Sequence, residues 1–206
     1  MKLRHVFWVL SGIVAVVAMA AGIAVFIDRY ISRKECPTGY LDCGDEEIII
    51  EEYVEQIPEL MMLHPSSLNT ARIITVLDRS GIPHILCGFL RVGQDGKIVD
   101  NGASGGILCQ LSENGTILRC LSKTGIDYTS HPNTSVPMVG FQIPHWDSAL
   151  ETAMTLAKHK PTIRFCGWDL ALTKNGWIMI EGNESAELTG LQIFGGGCKK
   201  RMLKYI

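Results

Sequence analysis

The stretch that most constrains the fold is residues 167–183, which read GWDLALTKNGWIMIEGN. Two apolar runs, at 170–172 and 177–180, are separated by turn residues at 174–176. An Asn-Gly pair between two apolar runs is a strong short-range signal for a β-hairpin. The sequence therefore predicts two antiparallel strands that pivot at Asn175 and Gly176.

Oxygen ligands stand at the ends of the two predicted strands. Pairing about this turn places Asp169 opposite Glu181, and Asn183 shares the face of Glu181 because side chains alternate along a strand. Two carboxylates and an amide oxygen suit Mg²⁺, which usually keeps waters and substrate phosphates in its shell. Two interpretations stay open from these residues alone: a magnesium site, and an ordinary hairpin with solvated acids.

The composition fits one domain with an appendage and argues against a nucleic-acid partner. The chain has 206 residues and a net charge of -2, so it has no basic field that would attract a polyanion. Its seven cysteines are odd in number, and most lie in apolar, strand-like contexts. That pattern favours reduced, buried thiols and a cytosolic domain. Cys36 and Cys43 stand apart beside a Pro-Thr-Gly turn, and pairing, lipid attachment and two free thiols all remain open for them.

Residues 6–27 form an uncharged, apolar segment. As an α-helix it would be about 33 Å long, enough to cross the hydrocarbon core of a bilayer. The alternative is a secretory signal peptide with a small-residue cleavage site at Ala18, Met19 and Ala20. Because the apolar run continues well past that site, which a signal peptide does not need, we expect a retained, single-pass membrane anchor.

The charges that flank this segment predict its orientation. Lys2 and Arg4 precede it, whereas Arg29, Arg33 and Lys34 follow it. Since the cytoplasmic side of a membrane span carries the excess of Lys and Arg, we expect the domain after the anchor to face the cytoplasm. The predicted organisation is an anchor at 1–30, an acidic linker at 31–47 and a domain at 48–206.

The rest of the chain predicts an α+β fold, mainly an antiparallel sheet with one backing helix. Besides the hairpin, strands are expected near 48–54, 71–77, 85–92, 107–111 and 116–121. Residues 146–159 have apolar side chains at helical spacing, with Asp147 or Ser148 near the N-terminal cap. The core is expected to be one sheet backed by this helix, formed by the strands that carry the apolar residues Ile73, Ile74, Val76, Leu86, Phe89, Ile107, Leu170, Leu172, Ile178 and Ile180.

Four motifs follow one another along the chain: SLNTARIITV at 67–76, GFLRVG at 88–93, VDNGASGGI at 99–107 and the hairpin at 167–183. In this order and spacing they resemble the C-terminal half of an ATP-grasp ligase. The best-matching branch is the sugar-transfer-associated one, related to α-L-glutamate ligases, and the resemblance covers about 48–195. It implies an enzyme that uses ATP and Mg²⁺ to join a small carboxylate to an amine through an acylphosphate.

The resemblance also implies where nucleotide and metal would bind. The hinge that meets the adenine and ribose would consist of Glu51, Glu52, Tyr53 and Val54. The ligands of the Mg²⁺ that bridges the ATP phosphates would be Asp169, Glu181 and Asn183. The resemblance therefore favours a magnesium site at the hairpin over a hairpin with solvated acids.

Arginine and glycine positions complete the implied site. Arg91 resembles the arginine that holds the γ-phosphate and the acylphosphate charge, and Arg72 is a second contact for an anionic substrate. Asn101, with Gly105 and Gly106, resembles the phosphate and substrate end. Arginine suits such roles because its planar fork meets two oxygens at once. From the residues alone, surface ion pairs for both arginines and a turn position for Asn101 stay open.

One part of the family pattern is not matched. Complete ATP-grasp ligases have, before the hinge, a subdomain whose lysines and glycine-rich loop close over the phosphates. Residues 1–47 contain no such loop, and Lys34 lies beside the predicted anchor. Three interpretations therefore remain: a ligase completed by a second chain or a closed dimer, a membrane-anchored nucleotide- and metal-binding pseudoenzyme without turnover, and a truncated gene product.

Overall fold

The computed structural model describes residues 40–42, 47–49, 52–98, 100, 105–184, 186–195 and 199–205. Within this part of the chain, no helix is long and apolar enough to cross a bilayer. The anchor predicted at 6–27 lies outside the described residues. Two compact units make up the chain, Met1–Val54 and Glu55–Ile206.

The first unit contains a two-stranded antiparallel sheet. Strand β1 (Tyr40–Asp42) pairs with β2 (Glu47–Ile49), and Tyr40 lies opposite Ile49. The stretch predicted as a linker thus contains a strand. The strand predicted at 48–54 is shorter than expected, since residues 52–54 have no regular structure.

The second unit is built on a seven-stranded sheet in the order β7-β6-β5-β4-β3-β8-β9, in which all neighbours run antiparallel. Its strands are β3 (Thr70–Leu77), β4 (Pro83–Val92), β5 (Ile107–Leu111), β6 (Ile117–Ser122), β7 (Asp127–Tyr128), β8 (Phe165–Thr173) and β9 (Gly176–Asn183). Its helices are α1 (Pro58–Met61), α2 (Trp146–His159), α3 (Thr189–Gln192) and α4 (Lys199–Met202). The predicted α+β class with a mainly antiparallel sheet is confirmed.

Strand β3 shows that the sheet is buried on both faces. Ala71 and Ile73 belong to the apolar cluster that includes α2, whereas Ile74 and Val76 belong to a second cluster. Because successive side chains of a strand point to opposite faces, the two clusters lie on opposite sides of the sheet. The strands predicted to form one sheet backed by the helix do so, and the sheet has a separate apolar cluster on each face.

Helix α2 covers the first face and has the predicted bounds. Its buried residues are Trp146, Ala149, Ala153 and Ala157. The small alanines let the helix approach closely, and Gly88 makes room for Trp146, whose ring lies 2.8 Å from where a Cβ would stand. The N-cap is His145 in the left-handed region, φ 54, and Asp147 lies near it in the first turn, as predicted.

The C-terminal segment contributes to covering the second face. Tyr205 stacks on His84 with ring centroids 4.1 Å apart, and Arg201 Nη1 donates a hydrogen bond of 2.6 Å to the Leu86 carbonyl. Partly buried Met202 and Tyr205 pack on the cluster formed by Ile74, Val76, Leu86 and Ala186.

Strand β9 lies at the edge of the sheet and is less covered than its sequence predicts. Ile178 is half-buried, and Ile180, which was expected in the core, is 42% exposed. An edge strand has a neighbour on one side only, so apolar side chains on it need not reach the core.

Candidate functional site

The hairpin of β8 and β9 brings the predicted residues opposite each other, but its loop is at 174–175 and not at 175–176, and a bulge between Asp169 and Leu170 shifts the register by one residue. Asp169 lies opposite Glu181, and Gly167 lies opposite Asn183. Directly opposed residues of an antiparallel pair share one face of the sheet. That face is the one opposite α2, because the flanking Trp168 and Leu170 belong to the cluster with the helix.

Two arginines from neighbouring strands hold Asp169. Arg72 on β3 is the register partner of Asp169 and donates to both of its oxygens, from Nε to Oδ1 and from Nη2 to Oδ2 at 2.6 Å. Arg91 on β4 places Nη2 2.9 Å from Oδ2. The Asp169 side chain is 1% exposed and the arginines 12% and 14%, so this ion-paired group is largely withdrawn from water.

Arg91 is held by two further groups. Thr70, its register partner on β3, accepts hydrogen bonds from Arg91 Nε at 3.0 Å and from Nη2 at 2.7 Å. The Thr70 hydroxyl in turn donates to Asp100 Oδ2 at 2.5 Å, and Arg91 Nη2 lies 3.5 Å from Asp100 Oδ1. We call Thr70, Arg72, Arg91, Asp100 and Asp169 the arginine–aspartate cluster.

The charges of this cluster balance when both acids are ionised. Burial raises the pKa of the Asp100 carboxyl, and the charge of Arg91 and the bonds from Thr70 offset only part of that effect. Burial acts to lower the pKa of Arg72, but the hydrogen bonds and charge of Asp169, with a smaller contribution from Glu181, raise it above its ordinary value overall. Arg72 therefore keeps its positive charge beside the hairpin.

The hairpin also offers donors that fit a divalent cation. Glu181 is exposed beside buried Asp169, and Asn183 Nδ2 is buried without a hydrogen-bond partner among the described residues. Since the two ends of an amide can exchange by a flip, this position suits the Oδ1 atom of Asn183 as a metal ligand. The described residues contain no group of three or more His, Cys, Asp or Glu side chains able to hold a metal. The fit therefore depends on the amide as third donor.

The other predicted site residues are not brought into this cluster by any described contact. Gly105 has φ +97, a left-handed conformation that favours glycine, and Gly106 is buried. Asn101 and Glu51 lie outside the described residues. Glu52, Tyr53 and Val54 belong to the first unit, where Tyr53 is 47% exposed.

Three residues of the site were missed by the sequence reasoning. Thr70 and Asp100 lie inside the motifs at 67–76 and 99–107. In those motifs the predicted site residues were their neighbours Arg72 and Asn101, and not Thr70 or Asp100. Gly167 matters because a Cβ there would stand 3.1 Å from Arg72 Cδ and 2.7 Å from Ala186 Cβ. The absence of a side chain lets the stem of Arg72 lie across β8 to reach Asp169.

Two surface grooves lie away from this cluster. One, of about 520 Å³, is at the start of α2 and is lined by Gln142, His145 and Glu151 among others. The other, of about 300 Å³, lies between Asp78 and Arg164. Neither groove contains a predicted site residue. The arginine–aspartate cluster is therefore chosen as the candidate site because of its chemistry, and not because it lies in a deep pocket.

Comparison with known proteins agrees with the motif order. The family model described as sugar-transfer associated ATP-grasp matches residues 38–206. That match includes the hairpin, both arginines and the glycine-rich stretch before β5. A comparison with curated proteins found no match.

Proposed function

The chain belongs to the sugar-transfer associated ATP-grasp family, and from this membership we propose that it binds ATP with Mg²⁺ and activates a small carboxylate for attack by an amine. The family implies an ATP-dependent, ligase-like function. The observation that carries the proposal is the convergence of Arg72 and Arg91 on Asp169, directly beside the acids of the hairpin.

The arginines suit the transfer of a phosphoryl group. Such a transfer asks a protein mainly to position the reactants and to neutralise charge. We propose that Arg91, fixed by Thr70 and Asp100, holds the γ-phosphate while the substrate carboxylate attacks it. ADP leaves, an acylphosphate forms, and the amine then displaces phosphate to give an amide. Arg72 would contact the anionic substrate.

The remaining predicted residues complete this proposal. Asp169, Glu181 and Asn183 would hold Mg²⁺, which neutralises charge on the phosphates when bound. The hinge at 51–54 would meet the adenine and ribose. Asn101, Gly105 and Gly106 would line the phosphate and substrate end.

A second candidate is a nucleotide- and metal-binding module without turnover. It is favoured by the paired state of the site, since Asp169 accepts two hydrogen bonds from Arg72 and forms an ion pair with Arg91 without any ligand.

The test is calorimetric titration of the full chain in mild detergent with ATP at several concentrations of Mg²⁺. We expect Mg²⁺ and ATP to tighten each other's binding by the same factor, as thermodynamic linkage requires. Glu181→Gln should remove this coupling with little effect on the fold, because the exposed side chain lies near a strand end. The matched control is Glu151→Gln, an exposed acid on α2, which covers the opposite face of the sheet. No heat at millimolar ligand would contradict the proposal.

A further inference from the structure

We propose that Arg72 competes with the metal for Asp169, so that the cation site becomes available only when a polyphosphate draws the Arg72 guanidinium away. This inference rests on the proposed function and concerns the order of events in that same site. Metal binding would then require that nucleotide is bound, whereas simple coupling would only make metal affinity higher when nucleotide is present.

The two arginines are held unequally. Within the described residues, the side-chain hydrogen bonds of Arg72 all go to Asp169. Arg91 also bonds to Thr70 twice and pairs with Asp100. A ligand that offers phosphate oxygens can replace every partner of Arg72 with charge-assisted bonds of the same kind. Arg91 would have to give up a larger set, so Arg72 is the side chain that can exchange.

Asp169 has little capacity for a cation while Arg72 is in place. An ionised carboxylate offers about four lone-pair positions on its two oxygens. Arg72 already uses two of them, with Nε on Oδ1 and Nη2 on Oδ2, and Arg91 Nη2 forms an ion pair with Oδ2 at 2.9 Å. A divalent ion at the same oxygens would also meet two guanidinium charges in a poorly hydrated site, where repulsion is weakly screened.

Arg72 already provides a positive charge beside Asp169, to which it donates two hydrogen bonds. Its charge interacts with Asp169 and with Glu181, which are the two carboxylates of the proposed metal site. The close approach is prepared by Gly167, whose missing side chain leaves the space for the Arg72 stem. Arg72 therefore serves as an internal counter-ion for the empty site, and a metal can replace it only if its charge moves elsewhere.

The test measures Mn²⁺ binding to the full chain in the absence of nucleotide. Mn²⁺ prefers the same oxygen ligands as Mg²⁺, and the free ion is counted by its electron paramagnetic resonance signal. We expect weak binding to the wild-type chain. Arg72→Gln should bind roughly tenfold more tightly, which equals about 1.4 kcal/mol, because the competing charge is gone. Arg72→Lys keeps a charge and should stay close to wild type.

Three further variants locate the effect. Arg119→Gln removes an exposed arginine on β6 that pairs with Asp127 on β7, near the edge of the sheet opposite the β8–β9 hairpin. This variant should leave Mn²⁺ affinity unchanged. Arg91→Gln should raise affinity less than Arg72→Gln, since both bonds of Arg72 to Asp169 remain. Adding Asp169→Asn to Arg72→Gln should return binding to the weak level, which identifies the carboxylate that gained the ion.

A measurement on the wild-type chain keeps the inference testable if Arg72→Gln does not fold. ATP added in the presence of a chelator should shift the ¹⁵N resonance of Arg72 Nε, assigned through Arg72→Lys, and leave that of Arg119 in place. An unmoved Arg72 resonance on saturation with ATP overturns the inference.

Two outcomes separate this inference from the proposed function. If ATP and Mg²⁺ are coupled in the wild-type chain but Arg72→Gln binds Mn²⁺ no more tightly, the competition is wrong and the proposed function stands. If the wild-type chain binds neither ATP nor Mg²⁺, the proposed function is wrong and the competition falls with it.

Discussion

Thr70 is the residue on which the geometry of Arg91 depends. Its hydroxyl accepts two hydrogen bonds from the Arg91 guanidinium and donates one to Asp100, while its backbone N–H donates to the same Asp100 oxygen at 2.8 Å. One side chain thus connects a fixed cation to a buried acid. Threonine is suited to this position because a β-branched side chain favours a strand and its single hydroxyl both donates and accepts.

Thr70→Val tests this connection with almost no change of volume. The variant leaves Arg91 Nε and Asp100 Oδ2 with one partner fewer in a poorly hydrated site, which should lower the free energy of unfolding by about 1–3 kcal/mol. Thr116→Val, at a hydroxyl near the surface, should change it by less than about 0.5 kcal/mol. Urea unfolding of the full chains measures both. Equal stability of the two variants would show that Thr70 is not needed for this arrangement.

At the scale of elements, a buried polar network joins the segment before β3 to the end of β4 and to the turns after β7. Asn69 donates to the carbonyls of Leu60 and His64 and receives bonds from Ser67 and Gly93. His131 bonds to the Gly93 carbonyl at 2.7 Å, and its ring centroid lies 5.3 Å from that of His64. The network holds the start of β3, where Thr70 and Arg72 lie.

This network predicts a loss of stability in mild acid. Burial lowers the pKa of His64, and the nearby His131 lowers it further, against a smaller opposing effect of Asp95. As the pH falls below about 6.5, the usual histidine value, the unfolded chain takes up a proton that folded His64 does not. The free energy of unfolding should therefore decrease from pH 7.5 to 5.5.

His64→Asn isolates this contribution to the pH dependence. The asparagine amide can still form a hydrogen bond with Ser67 Oγ, which lies 2.9 Å from His64 Nδ1, but it does not titrate. Urea unfolding at both pH values should show a smaller decrease for the variant. The comparison is needed because burial raises the pKa of Asp100, which acts in the opposite direction at lower pH. An identical slope for both chains would exclude His64 as the cause.

At the scale of the whole molecule, local patterns were predicted and distant pairings were not. The turn signal at Asn175 and Gly176 correctly predicted the hairpin and the pairing of Asp169 with Glu181, although that pairing also depends on a bulge next to Asp169. The apolar contexts of Cys109, Cys120 and Cys166 correctly indicated buried, free thiols. Both patterns depend on residues close together in the chain.

The arginine–aspartate cluster brings together residues that are far apart in the sequence. The residues Arg72 and Asp169 are 97 positions apart, and they meet only because β8 pairs with β3 in a register that no local pattern contains. The same reason explains the wrong placement of Ile180 in the core, because the sequence of β9 does not show that β9 is an edge strand. Strand order decides both the site and the burial.

The expected cellular location of the chain depends on its N-terminal apolar segment and on the charges that flank it. The charges that flank residues 6–27 favour a domain on the cytoplasmic side, where ATP is available. We expect a reporter fused after Ile206 to be active in the cytoplasm and the second unit to be digested only when protease reaches that side. Val16→Arg, at the centre of the segment, should reduce membrane insertion, since a central arginine costs roughly 2.5–3.5 kcal/mol. Val139→Arg, at an exposed position, should not. A reporter active only outside the cytoplasm, or a mature N-terminus at Ala21, would contradict the orientation and with it a function that uses cytoplasmic ATP.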